Sequence, residues 1–548
     1  MKFPLYFIFF IVGIYSCTNS KPNLKQETPK RNLASEFVND FKENYNNILP
    51  KNTKLLDTFY NTTSFQPIWF NDSLLLNKAG KDFLKILAKA NQYGLEPKQY
   101  SIEKIQEIYH KIENYDSIEN KIEWVILLEK LLTKNYFIFG KHLNFGLIEN
   151  IDTLTALPRK EFTIQMSNYL LTAFEKDSVI DYLLALQPSQ EEYRNLQNGL
   201  VKFLERSSLS KEKVKVVSIK SDSLKALDQA RKALVHHNFI PDKATDTIFI
   251  RGLRKFQYEH GLKPDGVIGT NTARALSKSP YEYYQSAAVS LERWRWKPIW
   301  EKDFIYVNIP AYNLLICLGD TLKRKHRVVV GTSYNRTPEV YSKLSYIVAY
   351  PYWHVPKSIS VNEILVKQKK DSNYIRKNNF EIFTNELDSV SSTSVNWDTI
   401  TSSNFNYYFR QKGGSSNALG LVKFIFDNKY SIYLHDTPTK YHFYRELRTY
   451  SHGCVRVQDA IEMADNILKY DENIFTIDSV FDYVEKHKEK KMMLNKKLPV
   501  YIQYIVCDTD AENTIIFYKD IYKKDDEVIK LLFYNQSVKD TILMSSKN

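Results

Sequence analysis

Apolar residues recur three and four apart through residues 34–204, most clearly in LLNKAGKDFLKILAKA and IEWVILLEKLLTKNYFIFG, the spacing of helices with one buried face. This predicts an all-α domain. Its aromatic punctuation, Phe59-Tyr60, Phe65-x-Pro67-x-Trp69 and Tyr93-Gly94-Leu95-x-Pro97-x-x-Tyr100, reads as core, and the stretch carries no catalytic constellation. Residues 221–279 predict a smaller helical unit. Two amphipathic helices, in SDSLKALDQARKALVHH and IRGLRKFQYEHG, precede an Asp265-Gly266 turn and a last helix opened by Thr270 or Asn271. After residue 291 the period falls to two, in FIYVNIPAYNLLICLG, RKHRVVVGT, KLSYIVAYPYWHVP, LGLVKFIFDN and YSIYLH. A mainly β domain is expected over 291–526, with residues 527–548 unassigned, so the fold class is multidomain α+β.

A polar insertion, 364–411, interrupts the β pattern upstream of the residues that look chemical. An insertion of this length is usually disordered or a lid. Tyr374, Phe380, Phe383, Trp397 and Tyr407 give it apolar material to pack and to touch a substrate, which favours the lid.

At 548 residues the chain is too long for one core and should divide into about three domains. Its 76 basic against 63 acidic residues, a net charge of +13, suit an anionic neighbour such as cell-wall carboxylates or a membrane surface. No motif for nucleic acid accompanies that charge. Four cysteines exclude a disulfide scaffold; Cys317 and Cys507 sit in strand-like runs and are expected to be buried, with a bridge between them the lesser alternative. At the N-terminus, Lys2 precedes an apolar run over residues 3–15 that is short for a span but right for a secretory signal, ending Ile14-Tyr15-Ser16-Cys17. Residues 1–17 thus read as a lipoprotein signal with Cys17 lipidated, ordinary signal cleavage being the alternative, and 18–33 as a flexible tether.

The chemistry concentrates in residues 432–457, IYLHDTPTKYHFYRELRTYSHGCVRV. A strand-like alternation over 431–434 ends at His435, and Ser451-His452-Gly453-Cys454 sets a thiol directly after a glycine, where backbone can approach a substrate. A cysteine of reference pKa about 8.5 needs a base or cation to act as thiolate, and either His435 or His452 is placed to supply one. Zinc bound by His435, His442, His452 and Cys454 is the competing reading, but the cluster lacks a paired C-x-x-C or an H-E-x-x-H helix, so no metal or cofactor is expected.

A strand-end histidine followed by S-H-G-C-[VI]-R resembles the active-site signature of the YkuD-type L,D-transpeptidases. YLHDTP before SHGCVRV is similar to their large Gram-negative murein branch. Val307-Asn308-Ile309-Pro310, Thr337-Pro338, Pro351-x-Trp353-x-Val355-Pro356 and Asn417-Ala418-Leu419-Gly420 extend the likeness; Gly413-Gly414 stands where Pro-Gly is expected. The helical region resembles that branch's scaffold domain, and the small unit resembles a three-helix peptidoglycan-binding module through Phe256-Gln257, His260-Gly261-Leu262, Asp265-Gly266-x-Ile268-Gly269, Thr272 and Ala275-Leu276.

The resemblance implies a murein transpeptidase in which Cys454 attacks the third residue of a stem tetrapeptide and a second stem's amine resolves the thioester. It makes His435 the general base, with the Asp436 carbonyl fixing its tautomer, and implies a capping role for the insertion. The Gly453–Cys454 turn, with Ser451 beside it, is expected to hold the oxyanion through backbone N–H groups, and His452 to orient that turn or the substrate. Arg456 either holds the loop or binds a substrate carboxylate. Trp353, Asn417, Tyr433, Thr437 and Tyr450 are expected to line the substrate site. A carboxypeptidase-like hydrolase of stems and a non-catalytic wall-binding lipoprotein are the alternatives. The expected place is the periplasm, anchored in the inner leaflet of the outer membrane.

Overall fold

Helix periodicity in the N-terminal third becomes a bundle around one long helix, Ile118–Phe145, 28 residues in length. The computed structural model describes residues 35–48, 54–114, 118–155, 157–319 and 322–534; Cys17, the signal and most of the final segment lie outside them. The aromatic punctuation is core, as Phe59, Tyr60, Trp69 and Tyr100 are all buried. Glu129 explains how Phe65-x-Pro67-x-Trp69 is held. Its carboxylate, buried on the long helix, accepts the N–H groups of Ile68 (2.9 Å) and Trp69 (3.1 Å), while Thr133 accepts the Trp69 indole N–H at 2.9 Å. Loop donors with no ladder partner are thereby satisfied inside the bundle.

The smaller unit is three helices, Ser223–His236, Asp246–Glu259 and Thr270–Leu276, around a core that includes Phe249, Leu253, Phe256 and Ile268. Gln257 shows what its motif residues do. The buried amide donates to Asp265, to the Val267 carbonyl and to Thr272, and accepts the Gly266 N–H at 2.8 Å. Phe-Gln, Asp-Gly and Thr are therefore the internal brace of this fold.

The helix Pro280–Arg295 links these units to the β domain. It opens on a capping box of Ser279 and Glu282 with proline at its start, and nearly every residue is buried. Near its end, Arg295 donates to the Tyr93 carbonyl of the helical domain and to the Tyr193 hydroxyl, and Glu292 accepts the N–H of Ile148 at 2.9 Å. The charged positions of Leu291-Glu292-Arg293-Trp294-Arg295-Trp296 are therefore buried joints between domains.

The β domain comprises β1 (Phe304–Asn308), β2 (Asn313–Leu318), β3 (Leu322–Gly331), β4 (Val340–Ala349), β5 (Trp353–His354), β6 (Phe380–Thr384), β7 (Ser389–Val390), β8 (Tyr407–Gln411), β9 (Val422–Phe426), β10 (Leu434–His435), β11 (Thr449–Ser451), β12 (Val455–Val457), β13 (Lys490–Met493), β14 (Pro499–Gln503), β15 (Cys507–Thr509) and β16 (Ile515–Phe517). Ten of them form one sheet in the order β11-β3-β12-β10-β9-β4-β14-β1-β2, with β13 on β4. Because β3 pairs with β2 as well as β12, the ladder closes on itself. The short β10 lies inside that ladder, flanked on both sides.

Four expectations change. The insertion is a unit with its own sheet, β5-β8-β6-β7, and a core that includes Val355 and Ile359 as well as Trp397 and Phe409. It therefore starts near Trp353 rather than at 364, since Trp353 and His354 pair with Gln411 and Arg410 to close its base. The domain does not end at 526, since Leu532 and Phe533 are buried in its core. Cys317 and Cys507 are free thiols, and Cys317 is only half-buried because the alternation of β2 turns it away from the core. The strand expected over 431–434 shrinks to Leu434–His435. Asn428 bonds the N–H groups of Tyr430 and Ile432, and Ser431 takes φ +54°, which curls this stretch into a turn.

Candidate active site

β10 pairs in parallel with β12, Leu434 opposite Val455 and His435 opposite Arg456, so the histidine strand and the strand leaving Cys454 are neighbours. The Val455 N–H donates to the Tyr433 carbonyl at 3.1 Å, bringing Tyr433 alongside the thiol. His435 is buried at 5% exposure, and its Nδ1 lies 2.6 Å from the Asp436 carbonyl. A carbonyl only accepts, so Nδ1 carries the proton and Nε2 is left as the basic nitrogen. The Asp436 side chain is fixed in turn: one oxygen accepts the Leu421 N–H at 3.0 Å and the other pairs with Lys440. Gly420 makes room for it, since a Cβ there would stand 2.2 Å from the Asp436 carboxylate and its φ is +62°.

The turn Ser451-His452-Gly453-Cys454 is braced from within. The Ser451 hydroxyl accepts the Gly453 N–H at 3.2 Å and donates to the Cys454 carbonyl at 2.5 Å. Gly453 takes φ +117°, and its carbonyl accepts the buried Thr337 hydroxyl at 2.8 Å. The Gly453 N–H, expected to hold the oxyanion, is thus already occupied by Ser451. His452 is 42% exposed at its side chain, with Nε2 2.5 Å from Glu363 of the insertion.

Burial dominates the electrostatics. It pushes His435 down to about 3, with Arg456 and Lys423 adding to the effect against the bond to Asp436. A dry site beside two cations penalises imidazolium, so His435 is held neutral well below the ordinary histidine range. Burial also raises the Cys454 thiol, opposed by hydrogen bonds from the Tyr433 N–H and hydroxyl and by Arg456. Both directions favour a neutral thiol beside a neutral imidazole.

Other expected site residues fall differently. Tyr433 reaches the sulfur, with its ring 5.7 Å from that of His435. Arg456 touches His442 Nδ1 at 3.3 Å, and the exposed Tyr450 stacks on the His442 ring at 4.3 Å. Trp353 packs on the insertion's core at the rim. Asn417 and Thr437 are buried and spent on their own loops: Asn417 bonds Gln411, Lys412 and Leu419, and the Thr437 hydroxyl accepts the Thr439 N–H. The Asn417 amide is thus fully occupied within its own loop, while the Thr437 hydroxyl accepts from its own turn. Among the described residues no set of three His, Cys, Asp or Glu is placed to hold a metal ion. Thr337, Glu363 and Lys423 were missed as site residues; only Thr337 carried a signal, in the Thr337-Pro338 dipeptide.

Comparison with known proteins adds to this geometry. Residues 54–200 match a family described as Scaffold domain. A Haemophilus influenzae protein named "Putative L,D-transpeptidase" is 35% identical over 244 residues, 44% of this chain and 49% of that protein. The chain thus spans about half the length of the curated relative it matches. Residues 302–502, which contain His435, Cys454 and every residue that touches them above, match the family YkuD, the L,D-transpeptidase catalytic domain.

Proposed function

We propose that the protein is a murein L,D-transpeptidase that links the third residues of two peptidoglycan stem peptides through a Cys454 thioester. The observation that carries this reading is the His435–Asp436 hydrogen bond, which leaves a neutral imidazole with Nε2 basic on the strand beside the one that follows Cys454. In the proposed reaction Sγ attacks the carbonyl of the donor's third residue as His435 Nε2 takes the thiol proton. The C–S bond forms and the oxyanion rests on the Cys454 N–H and the Tyr433 hydroxyl. As the C–N bond breaks, His435 hands its proton to the departing D-Ala amine. An amine of the second stem then attacks the thioester and gives its proton to His435, which returns it to sulfur. Ser451 and Thr337 hold the turn, and the insertion covers the cleft through Glu363 and His452.

Three further parts complete the reading. The three-helix unit is proposed as a peptidoglycan-binding module on its motif residues. The chain is proposed to work in the periplasm, its net charge of +13 suiting an anionic wall, and to be lipid-anchored through Cys17 in the inner leaflet of the outer membrane. No helix among the described residues is long and apolar enough to cross a membrane. Muropeptide analysis after incubation with tetrapeptide-bearing sacculi tests the function. Dimers joined between third residues support transpeptidation, and tripeptides without dimers mean a hydrolase.

A further inference from the structure

One register row crosses the sheet through the proposed active site. Lys491 on β13, Val348 on β4, Lys423 on β9, His435 on β10 and Arg456 on β12 are successive cross-strand partners. Residues directly opposite one another share a face, so Lys423 and Arg456 flank His435 on the side that carries the chemistry. Arg456 has a partner in His442. Lys423 does not: among the described residues its ammonium makes no hydrogen bond and no ion pair, and it lies 5.9 Å from the centroid of the Tyr433 ring. That same ring lies 5.7 Å from His435, and its hydroxyl reaches the Cys454 sulfur.

Several buried lysines here are satisfied, while the part-buried Lys134 and Lys160, like Lys423, make no side-chain hydrogen bond or ion pair among the described residues but belong to the helical domain. Lys130 donates to the Tyr45 and Ile48 carbonyls, Lys297 to Gln503 and Lys524 to Glu339. The carboxylate that attracts Lys423, Glu489, is committed to the Tyr352 N–H at 3.0 Å, and Lys491 repels it from the next strand but one. A half-buried ammonium with no counter-ion is unfavourable unless something supplies the charge. Lys423 sits mid-sheet, one aromatic ring from the nucleophile.

We infer that Lys423 is a specificity-determining residue that binds a carboxylate of the acyl-donor peptide on the β9 side of His435, while the scissile carbonyl lies at Cys454. This rests on the proposed function and adds the group by which the donor is recognised. A lysine suits the task as a compact charge on a flexible stem.

The test compares two synthetic donors with the purified protein: a tetrapeptide with free side-chain and α-carboxylates along its chain, and the same peptide with those groups converted to carboxamides, both keeping the terminal D-Ala. Acylation of Cys454 is followed by intact mass and D-Ala release. The wild type should prefer the carboxylate donor by about 10- to 100-fold in kcat/KM, the range for a charged hydrogen bond. Lys423→Met should remove that preference by raising KM for the carboxylate donor, and Lys423→Arg should restore most of it. Should Lys423→Met fail to fold, Lys423→Gln carries the same comparison. A preference that persists in the neutral variants, or an equal fall for both donors, overturns the inference while the function stands. Failure of both donors to acylate the wild type refutes the function, and this inference with it.

Discussion

Glu363 and His452 meet, Oε1 to Nε2 at 2.5 Å, joining the insertion to the turn that carries Cys454. Glu363 lies on a π-helical turn, Ser360–Leu365, packed into the insertion's core through Ile364 and Leu365. His435 is buried with Nδ1 held by the Asp436 carbonyl, whereas the more exposed His452 has Nε2 on Glu363, and this difference in burial is why we propose His435 as the base.

The Glu363–His452 pair is partly exposed, so it should bias the insertion's position without holding up the fold. Such pairs contribute about 0.2–1 kcal/mol. Glu363→Ala should leave the melting temperature within about 2 °C and change the acylation rate by up to about 5-fold, an effect that high salt abolishes in the wild type. A large loss of stability would contradict this role.

The two histidines should separate cleanly. His435→Gln removes the base and should slow Cys454 acylation by about 10²- to 10⁴-fold, whereas His452→Gln should cost no more than the Glu363 variant. Single-turnover acylation measured on both variants decides it, and the reverse order would exchange their roles.

Acid should destabilise the protein through His435. An unfolded histidine titrates near 6.5, while burial holds His435 neutral down to about 3. Between those values the unfolded chain takes a proton that the native chain refuses. The stability present above pH 6.5 is therefore lost as pH falls, by up to about 1.4 kcal/mol per pH unit from this residue. His237 and His260, also buried and lowered, act in the same sense. Denaturant titrations from pH 7 to 4 should show a shallower slope in His435→Gln than in the wild type. Equal slopes would contradict a buried neutral imidazole.

The buried Arg293–Asp525 pair ties the chain after β16 to the linking helix. Arg293→Ala would strand a buried carboxylate and should cost about 3–5 kcal/mol, read as a lower denaturant midpoint. A loss under about 1 kcal/mol would mean that this segment adds little to the fold.

Much of this was legible in the sequence because the signals are local. Helical period marks Lys78–Ala88 and Ile118–Phe145, and Cys454 announces itself by following a glycine in a turn rich in chemistry. His435 is visible as the end of a strand, although Asn428 shortens that strand in a way no periodicity reveals. Lys423 and Glu363 were not legible. Each is an ordinary charged residue until sheet register or the insertion's packing brings it to the site. Asn417 erred in the opposite direction: it belongs to a motif near the site, yet its amide is consumed in bracing the loop that shapes it. The Gly453 N–H was misjudged for the same reason, since Ser451 claims it.

The central claim is that Cys454 is acylated by a stem tetrapeptide with His435 as base. Intact-mass analysis of the protein after brief incubation with the carboxylate tetrapeptide tests it most directly. The wild type should gain the mass of the donor less D-Ala, the adduct should map to the peptide containing Cys454, and Cys454→Ala should gain nothing and release no D-Ala. Release of D-Ala by Cys454→Ala at the wild-type rate would contradict the account.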